Sequence, residues 1–317
     1  MRSATLLRRW TISIIGTIAA LAVVSVASAQ GTWSTLAPLP APTEGLHVGS
    51  VDDRIVAAYG FTGGNTNLTR IYDIKSDSWS FGTPGPLPTR AEGAAATHGG
   101  HFYSVGGRSG GPLPDLDRYT PDTDTWVSLA DMATARRGLG AAVVGNALYA
   151  IGGSTGTAPC SGSPLATVER YDIDTDTWSM AAPLPSPRSD LAAVAHGGKI
   201  YVFGGCLGSV TAINNVDVYD PVTDTWSTAP ADLPTARSSM YGAAAKGNRI
   251  YVIGGQDGGV QLTTNEFYTV SHDTWSTDEP MPSARAEMGV VSHGGRIYTV
   301  GGGLFGISSN LNLVFKP

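Results

Sequence analysis

Six positions spaced 46 to 52 residues apart, Glu44, Glu92, Gly138, Asp190, Ser239 and Glu287, each lie two residues beyond an arginine or, in the first case, beyond Pro42. Four of the six carry a carboxyl group. Carboxyls gathered at one place repel one another and raise each other's pKa, so such a cluster can hold a cation, hydrogen-bond a sugar or supply a general acid. The alternative is that they pair with neighbouring arginines and stiffen a scaffold. Arg108, Ser154, Cys206 and Gln256 each directly follow a Gly-Gly pair, and the same reading places them, with Tyr241, beside the carboxyls. No nucleophile stands next to an evident base, so the sequence carries no catalytic signature and points to binding rather than to an enzyme.

The elements that position these residues repeat. Trp33, Trp79, Trp126, Trp178, Trp226 and Trp275 follow one another at intervals of 46, 47, 52, 48 and 49 residues, and the last five each stand seven positions after a tyrosine. Within a unit, a proline-rich turn and an arginine lead into a strand of small residues, a Gly-rich turn, a hydrophobic strand ending in Gly-Gly, a third strand ending in tyrosine and a fourth carrying tryptophan. Strands of four to six residues bounded by Gly, Pro and Asp turns make a four-stranded antiparallel meander. Arg136, Arg188, Arg237 and Arg285 precede Gly153, Gly205, Gly255 and Gly302 by 17, 17, 18 and 17 residues. The first unit departs from the pattern: Pro42 stands at the arginine position and Tyr59-Gly60 replaces Gly-Gly. In a meander the loops leading into the first strand and those joining the second to the third lie at one end, which brings the carboxyls and the residues after Gly-Gly together.

These motifs resemble the kelch family across everything after the amino-terminal segment. The resemblance implies an all-β fold, a six-bladed β-propeller of four-stranded blades, in which residues 31-37 supply the fourth strand of the last blade and Phe315 stands where other units have tyrosine. It also implies that the carboxyl positions face the mouth of a central channel, and that the domain is an interaction module for a protein, peptide or glycan. The repeated arginines are expected to bond backbone carbonyls or carboxylates between blades. The architecture is also similar to that of sialic-acid mutarotases. That alternative would make Glu92, Asp190, Glu287 and Arg108 acid/base candidates.

Composition bounds the rest. The 317-residue chain has a formal net charge of -6 and no cationic run after residue 9, which argues against a nucleic-acid surface. Residues 1-29 combine Arg2, Arg8 and Arg9 with an apolar run and Ala27-Ser28-Ala29, the layout of a cleaved secretory signal peptide. The expectation is a secreted or periplasmic domain over residues 30-317, with no membrane span after cleavage. Cys160 and Cys206, the two cysteines, each follow the Gly-Gly of neighbouring units and are candidates for a disulfide. No cofactor or metal is implied. The Gly-Gly pairs lack a phosphate-loop pattern, the Asp-rich turns lack the glycine and distal glutamate of a calcium loop, and His98, His196 and His293 occupy equivalent places that a ring keeps apart.

Overall fold

The computed structural model describes residues 31–317 except 161, 210, 229, 305 and 306. The expected signal peptide lies outside the described residues. Six four-stranded antiparallel sheets are arranged in a ring. The first blade runs His47–Val51, Arg54–Ala58, Thr69–Asp73 and Ser78–Gly82, and the next four repeat that order from innermost to outermost strand. Each innermost strand packs on those of the two neighbouring blades, and the circuit closes where Gly289–His293 of the sixth blade meets His47–Val51 of the first. Among the described residues no helix is long and apolar enough to cross a membrane.

The sixth blade is completed from the other end of the chain. Thr32–Thr35 pairs antiparallel with Asn312–Lys316, placing Trp33 opposite Phe315 with ring centroids 4.9 Å apart. The closing strand is thus the core of the expected 31-37 segment. Its ends are held to the fifth blade: the Gly31 N–H donates to Asp278 Oδ1 at 2.7 Å and Trp33 Nε1 to the Glu279 carbonyl at 2.8 Å.

Small residues line the axis because the inner strands converge there. A Cβ on Gly289 would lie 2.3 Å from Val48 Cβ, so that strand approaches the first blade only without a side chain. Outward from the axis, each sheet presents Val, Ile, Leu and Tyr to the sheet beside it, and six apolar clusters fill the spaces.

The tyrosine, aspartate and tryptophan of the repeat form one device. Tyr171 Oη donates to Asp176 Oδ1 at 2.7 Å, and that oxygen also accepts the Ala130 N–H of the preceding blade at 2.8 Å, while Trp178 Nε1 donates to the Ala130 carbonyl at 2.7 Å. The same bonds recur at Asp77, Asp124, Asp224 and Asp273. Each aspartate thus serves its own turn through the tyrosine and clips its blade to the previous one. Asp176→Ala should therefore cost about 1–3 kcal/mol, because Tyr171 and the Ala130 amide both lose their acceptor, measured by chemical denaturation.

The repeated arginines differ from expectation. Each is fully buried and pairs inside the blade it introduces rather than between blades: Arg90 with Asp117, Arg136 with Glu169 (3.0 Å), Arg188 with Asp217 and Arg237 with Glu266. The acid is two residues before the repeat tyrosine, so the guanidinium ties the loop ahead of the first strand to the third. Arg285 faces Leu313 at that place instead, and donates to Thr299 Oγ1 and the carbonyls of Gly301 and Leu311 at 2.7, 2.8 and 3.2 Å. In the first blade the polarity is reversed: Arg70 occupies the acid's position and donates to the Tyr59 carbonyl at 3.2 Å.

Candidate functional site

At the mouth of the channel one backbone conformation recurs six times. Gly45, Glu92, Gly138, Asp190, Ser239 and Glu287 all have φ between 52° and 62°, in the left-handed region. The Gly45 N–H donates to the Glu287 carbonyl at 2.9 Å, Glu92 to Gly45 at 2.9 Å, Gly138 to Glu92 at 2.8 Å, Asp190 to Gly138 at 2.6 Å, and Glu287 to Ser239 at 2.9 Å. Each blade thus hands a hydrogen bond to its neighbour. Between the fourth and fifth blades the donor is instead Met240, at 3.4 Å. A non-glycine residue in this region costs roughly 1–2 kcal/mol, so the four at Glu92, Asp190, Ser239 and Glu287 mark a constrained rim.

This ring corrects the alignment of the first blade. The place held by Glu92 and its equivalents belongs to Gly45, not Glu44. The arginine position belongs to Thr43, whose carbonyl accepts the Gly302 N–H at 2.9 Å just as the Arg136 carbonyl accepts that of Gly107 at 3.0 Å. Pro42 misled because it sits in the same turn one residue early. Glu44 is instead the counterpart of Arg137, bridged to Phe61 as Arg137 is to Ser154.

The structure nevertheless brings Glu44, Glu92, Asp190 and Glu287 together with Arg108 and Tyr241, and adds Arg137. Arg108 Nη2 lies 2.7 Å from Glu92 Oε1, and Arg137 reaches Glu92 Oε2 through Nε at 2.5 Å and Asp190 Oδ1 through Nη2 at 2.7 Å. Asp190 also accepts from the Cys160 N–H at 2.9 Å, Ser189 Oγ at 2.8 Å and Tyr241 Oη at 3.3 Å. A Cβ on Gly138 would lie 2.8 Å from Asp190 Oδ1, so the third blade leaves that rim position bare for the ion pair. Ser239 and Gln256 bond each other, Gln256 Nε2 donating to Ser239 Oγ at 2.7 Å. Cys160 and Cys206 are joined by a disulfide that fastens the long loop of the third blade, Ser154 to Ala166, onto the fourth beside Asp190.

Two arginines therefore serve two acids. Glu92 and Asp190 are buried and ion-paired, whereas Glu44 and Glu287 are half-buried and make no salt bridge among the described residues. Burial, then the neighbouring Glu92, Glu44 and Asp190, push the Glu287 carboxyl up to about 8 against the opposing pull of Arg137. Burial and Glu92 raise Glu44 against the pull of Arg108. Tyr241 is held well above the usual phenol range by burial and by Glu287, Asp190 and Glu92. Arg137 stays charged: burial disfavours the cation, but Asp190, Tyr241 and Glu92 more than offset it.

Below the mouth, the six inner strands enclose a cavity of about 460 Å³, with Tyr241 among its lining residues. Tyr241 arises from the one extra residue between Arg237 and the turn at Gly247. That insertion delays the fifth inner strand until Ala244 and frees Tyr241 from the sheet. His47 lies off the mouth, wedged between the first two blades: its Nε2 accepts the Gly93 N–H at 3.0 Å, and so its Nδ1–H donates to Ser104 Oγ at 2.7 Å.

Glu287 gives the site a pH signature. Between the ordinary glutamate range and about 8 the folded protein keeps a proton that the unfolded chain has released, so this group makes stability fall as pH rises through that window. Glu287→Gln should remove that slope, so that between pH 6 and pH 8 the variant loses about 2–3 kcal/mol less stability than the parent, in urea titrations run at pH 6 and 9. Equal slopes in the two proteins would show that Glu287 titrates normally.

Comparison with known proteins gives consistent matches. A family model described as the KLHDC2/KLHL20/DRC7 Kelch-repeats domain matches residues 130–302, and one described as the Kelch motif matches residues 89–133. Kelch-like protein 25 of Xenopus tropicalis is 32% identical over 251 residues, covering 76% of this chain and 42% of that protein. Kelch-like protein 23 of Homo sapiens is 31% identical over 70% of the chain and 38% of its own length, and beta-scruin of Limulus polyphemus is 34% identical over 52% and 19%. The chain spans about two fifths or less of the length of these relatives.

Proposed function

The chain belongs to the kelch-repeat family of β-propellers, and from that premise we propose that it is a binding module that takes a partner protein at the mouth of its channel. The observation that carries this reading is the unequal pairing at the mouth: Glu92 and Asp190 are salt-bridged to Arg108 and Arg137, while Glu44 and Glu287, under the longer-range pull of the same arginines, make no salt bridge among the described residues. A scaffold alone has no use for two carboxyls whose pKa values are raised by burial and by the neighbouring Glu92. The left-handed rim holds Glu287 there at an energetic cost, as functional positions often do.

The proposal extends to location. The basic, apolar and small-residue pattern of residues 1-29 reads as an export signal, and the Cys160–Cys206 bond suits an oxidising compartment. A glycan in place of a peptide is the finer variant of the same reading, since Ser239, Gln256 and Tyr241 offer neutral hydrogen-bonding groups at the rim. The anomer-exchange alternative is not carried forward. Three of its four candidates, Glu92, Asp190 and Arg108, are tied into ion pairs.

Photo-crosslinking tests the assignment of the face. A benzophenone amino acid at Phe61, beside the mouth, should capture partners in cells of the source organism, and the same group at Val222, 91% exposed on a turn at the opposite end, should not. Adducts forming equally from both positions would remove the mouth from consideration.

A further inference from the structure

The rim of the mouth is chemically divided, and the division specifies a partner. Eight large apolar residues are exposed among the described residues, and three of them lie on the loops joining second to third strands in three successive blades: Leu207 in the fourth, Val260 in the fifth and Ile307 in the sixth, at 51%, 59% and 73% exposure. These loops follow the Gly-Gly pairs, and backbone bridges hold their first residues to the rim: Ser189 to Cys206, Ser238 to Gln256 and Ala286 to Gly303. The apolar side chains therefore stand on the mouth face rather than on the outer walls. The loops of the first two blades carry Asn65, Ser109 and Gly110 in the corresponding stretch, and Asn65 is occupied in bonding the Arg108 carbonyl at 2.7 Å.

The uncompensated acids lie at the junction of the same arc. Glu287 enters from the sixth blade and Glu44 from the first, with Glu44 Oε2 packed so closely over Gly303 that a Cβ there would lie 2.0 Å from it. One side of the mouth thus presents apolar tips on the fourth to sixth blades, and the adjoining sector presents two carboxyls without cations. Exposed apolar groups next to unpaired charge of one sign are the complement of a peptide with the opposite charge.

We propose that the mouth binds a peptide segment in which a lysine or arginine side chain enters between Glu44 and Glu287 while neighbouring aliphatic or aromatic residues rest on Leu207, Val260 and Ile307. The cation pairs with the two carboxyls that the arginines leave without a salt bridge, displacing the proton held by Glu287, and the apolar flank selects among basic segments. This inference rests on the mouth being the binding face and adds the chemistry of the occupant.

The test is selection of a displayed random 12-residue peptide library on the full chain, run in parallel on Glu44→Gln/Glu287→Gln and on Leu207→Ser/Val260→Ser/Ile307→Ser. The second set of changes lies on exposed loops and should leave the thermal melt unchanged. Enriched peptides should carry Lys or Arg beside Leu, Ile, Val or Phe and bind each variant at least tenfold more weakly. Enrichment of acidic or uncharged peptides that still crosslink at Phe61 would overturn the inference and leave the mouth as the binding face. Enriched peptides that crosslink away from Phe61, or no enrichment with binding confined to a glycan array, would overturn it along with the assignment of a peptide-binding mouth.

Discussion

Arg136→Leu should destabilise the propeller by about 3–5 kcal/mol, the range for breaking a buried ion pair from one side. Arg136 is fully buried, bonds Glu169 at 3.0 Å and donates to the carbonyls of Thr167, Gly152 and Ala150 at 2.9, 3.2 and 3.3 Å. Removing it strands a carboxylate in the blade interior and takes a donor from three carbonyls, of which that of Thr167 keeps the Gly152 N–H at 3.0 Å. Glu169 keeps the Ala133 and Thr134 amides, at 2.8 and 3.2 Å, which places the expected loss toward the lower end of the range. Adding Glu169→Leu should restore part of the loss, because an uncompensated charge costs more than an absent pair. The sixth blade already shows that the acid is dispensable: Arg285 lies opposite Leu313, and burial there holds its guanidinium down to about 10. A denaturation cycle in which the two single changes simply add would refute this coupling.

Deleting residues 31–37 should be at least as damaging. The last blade would lose its outer strand, the Trp33–Phe315 contact and both bonds to the fifth blade, and Asn312–Lys316 would become an open sheet edge. Loss of one large aromatic contact alone costs about 3–5 kcal/mol, so we expect a fall in Tm of about 10 °C or more and concentration-dependent association through the bared edge. A synthetic peptide of residues 31–37 added in excess should recover part of the Tm. A truncated chain that melts with the parent, as a monomer, would mean the ring does not depend on this closure.

What could be read beforehand followed from repetition. The tryptophan ladder and the seven-residue interval from tyrosine set blade number and strand order, and Trp33, the one tryptophan of the ladder without a tyrosine seven positions earlier, pointed to the closing segment. Features present six times were legible because copies vouch for one another. The first unit failed at its arginine position because proline invites alignment by turn chemistry; counting the 17-residue interval back from Gly60 reaches Thr43 and would have avoided it. The acids that hold the arginines were also visible, two residues before each tyrosine, but went unremarked beside the more regular aspartates. Arg137 was hidden for a different reason. It occurs once, next to a repeated arginine, and only the fold shows that this neighbour turns into the mouth. Tyr241 stands beside Asp190, and the 18-residue interval of its unit carried the physical cause, an inserted residue that a flat strand cannot absorb.

The rim of left-handed residues behaves as a hoop with one weak weld. Five of its joints are hydrogen bonds of 2.6 to 2.9 Å between equivalent residues, and the sixth, between the fourth and fifth blades, is displaced by one residue and stretched to 3.4 Å. A closed hoop under thermal load parts at its longest joint. The seam lies where Tyr241 leaves the sheet, so the Met240 amide should exchange with solvent ahead of the other five. Breathing of the ring would then begin at the blade boundary that carries the phenol, with the disulfide holding the next boundary shut.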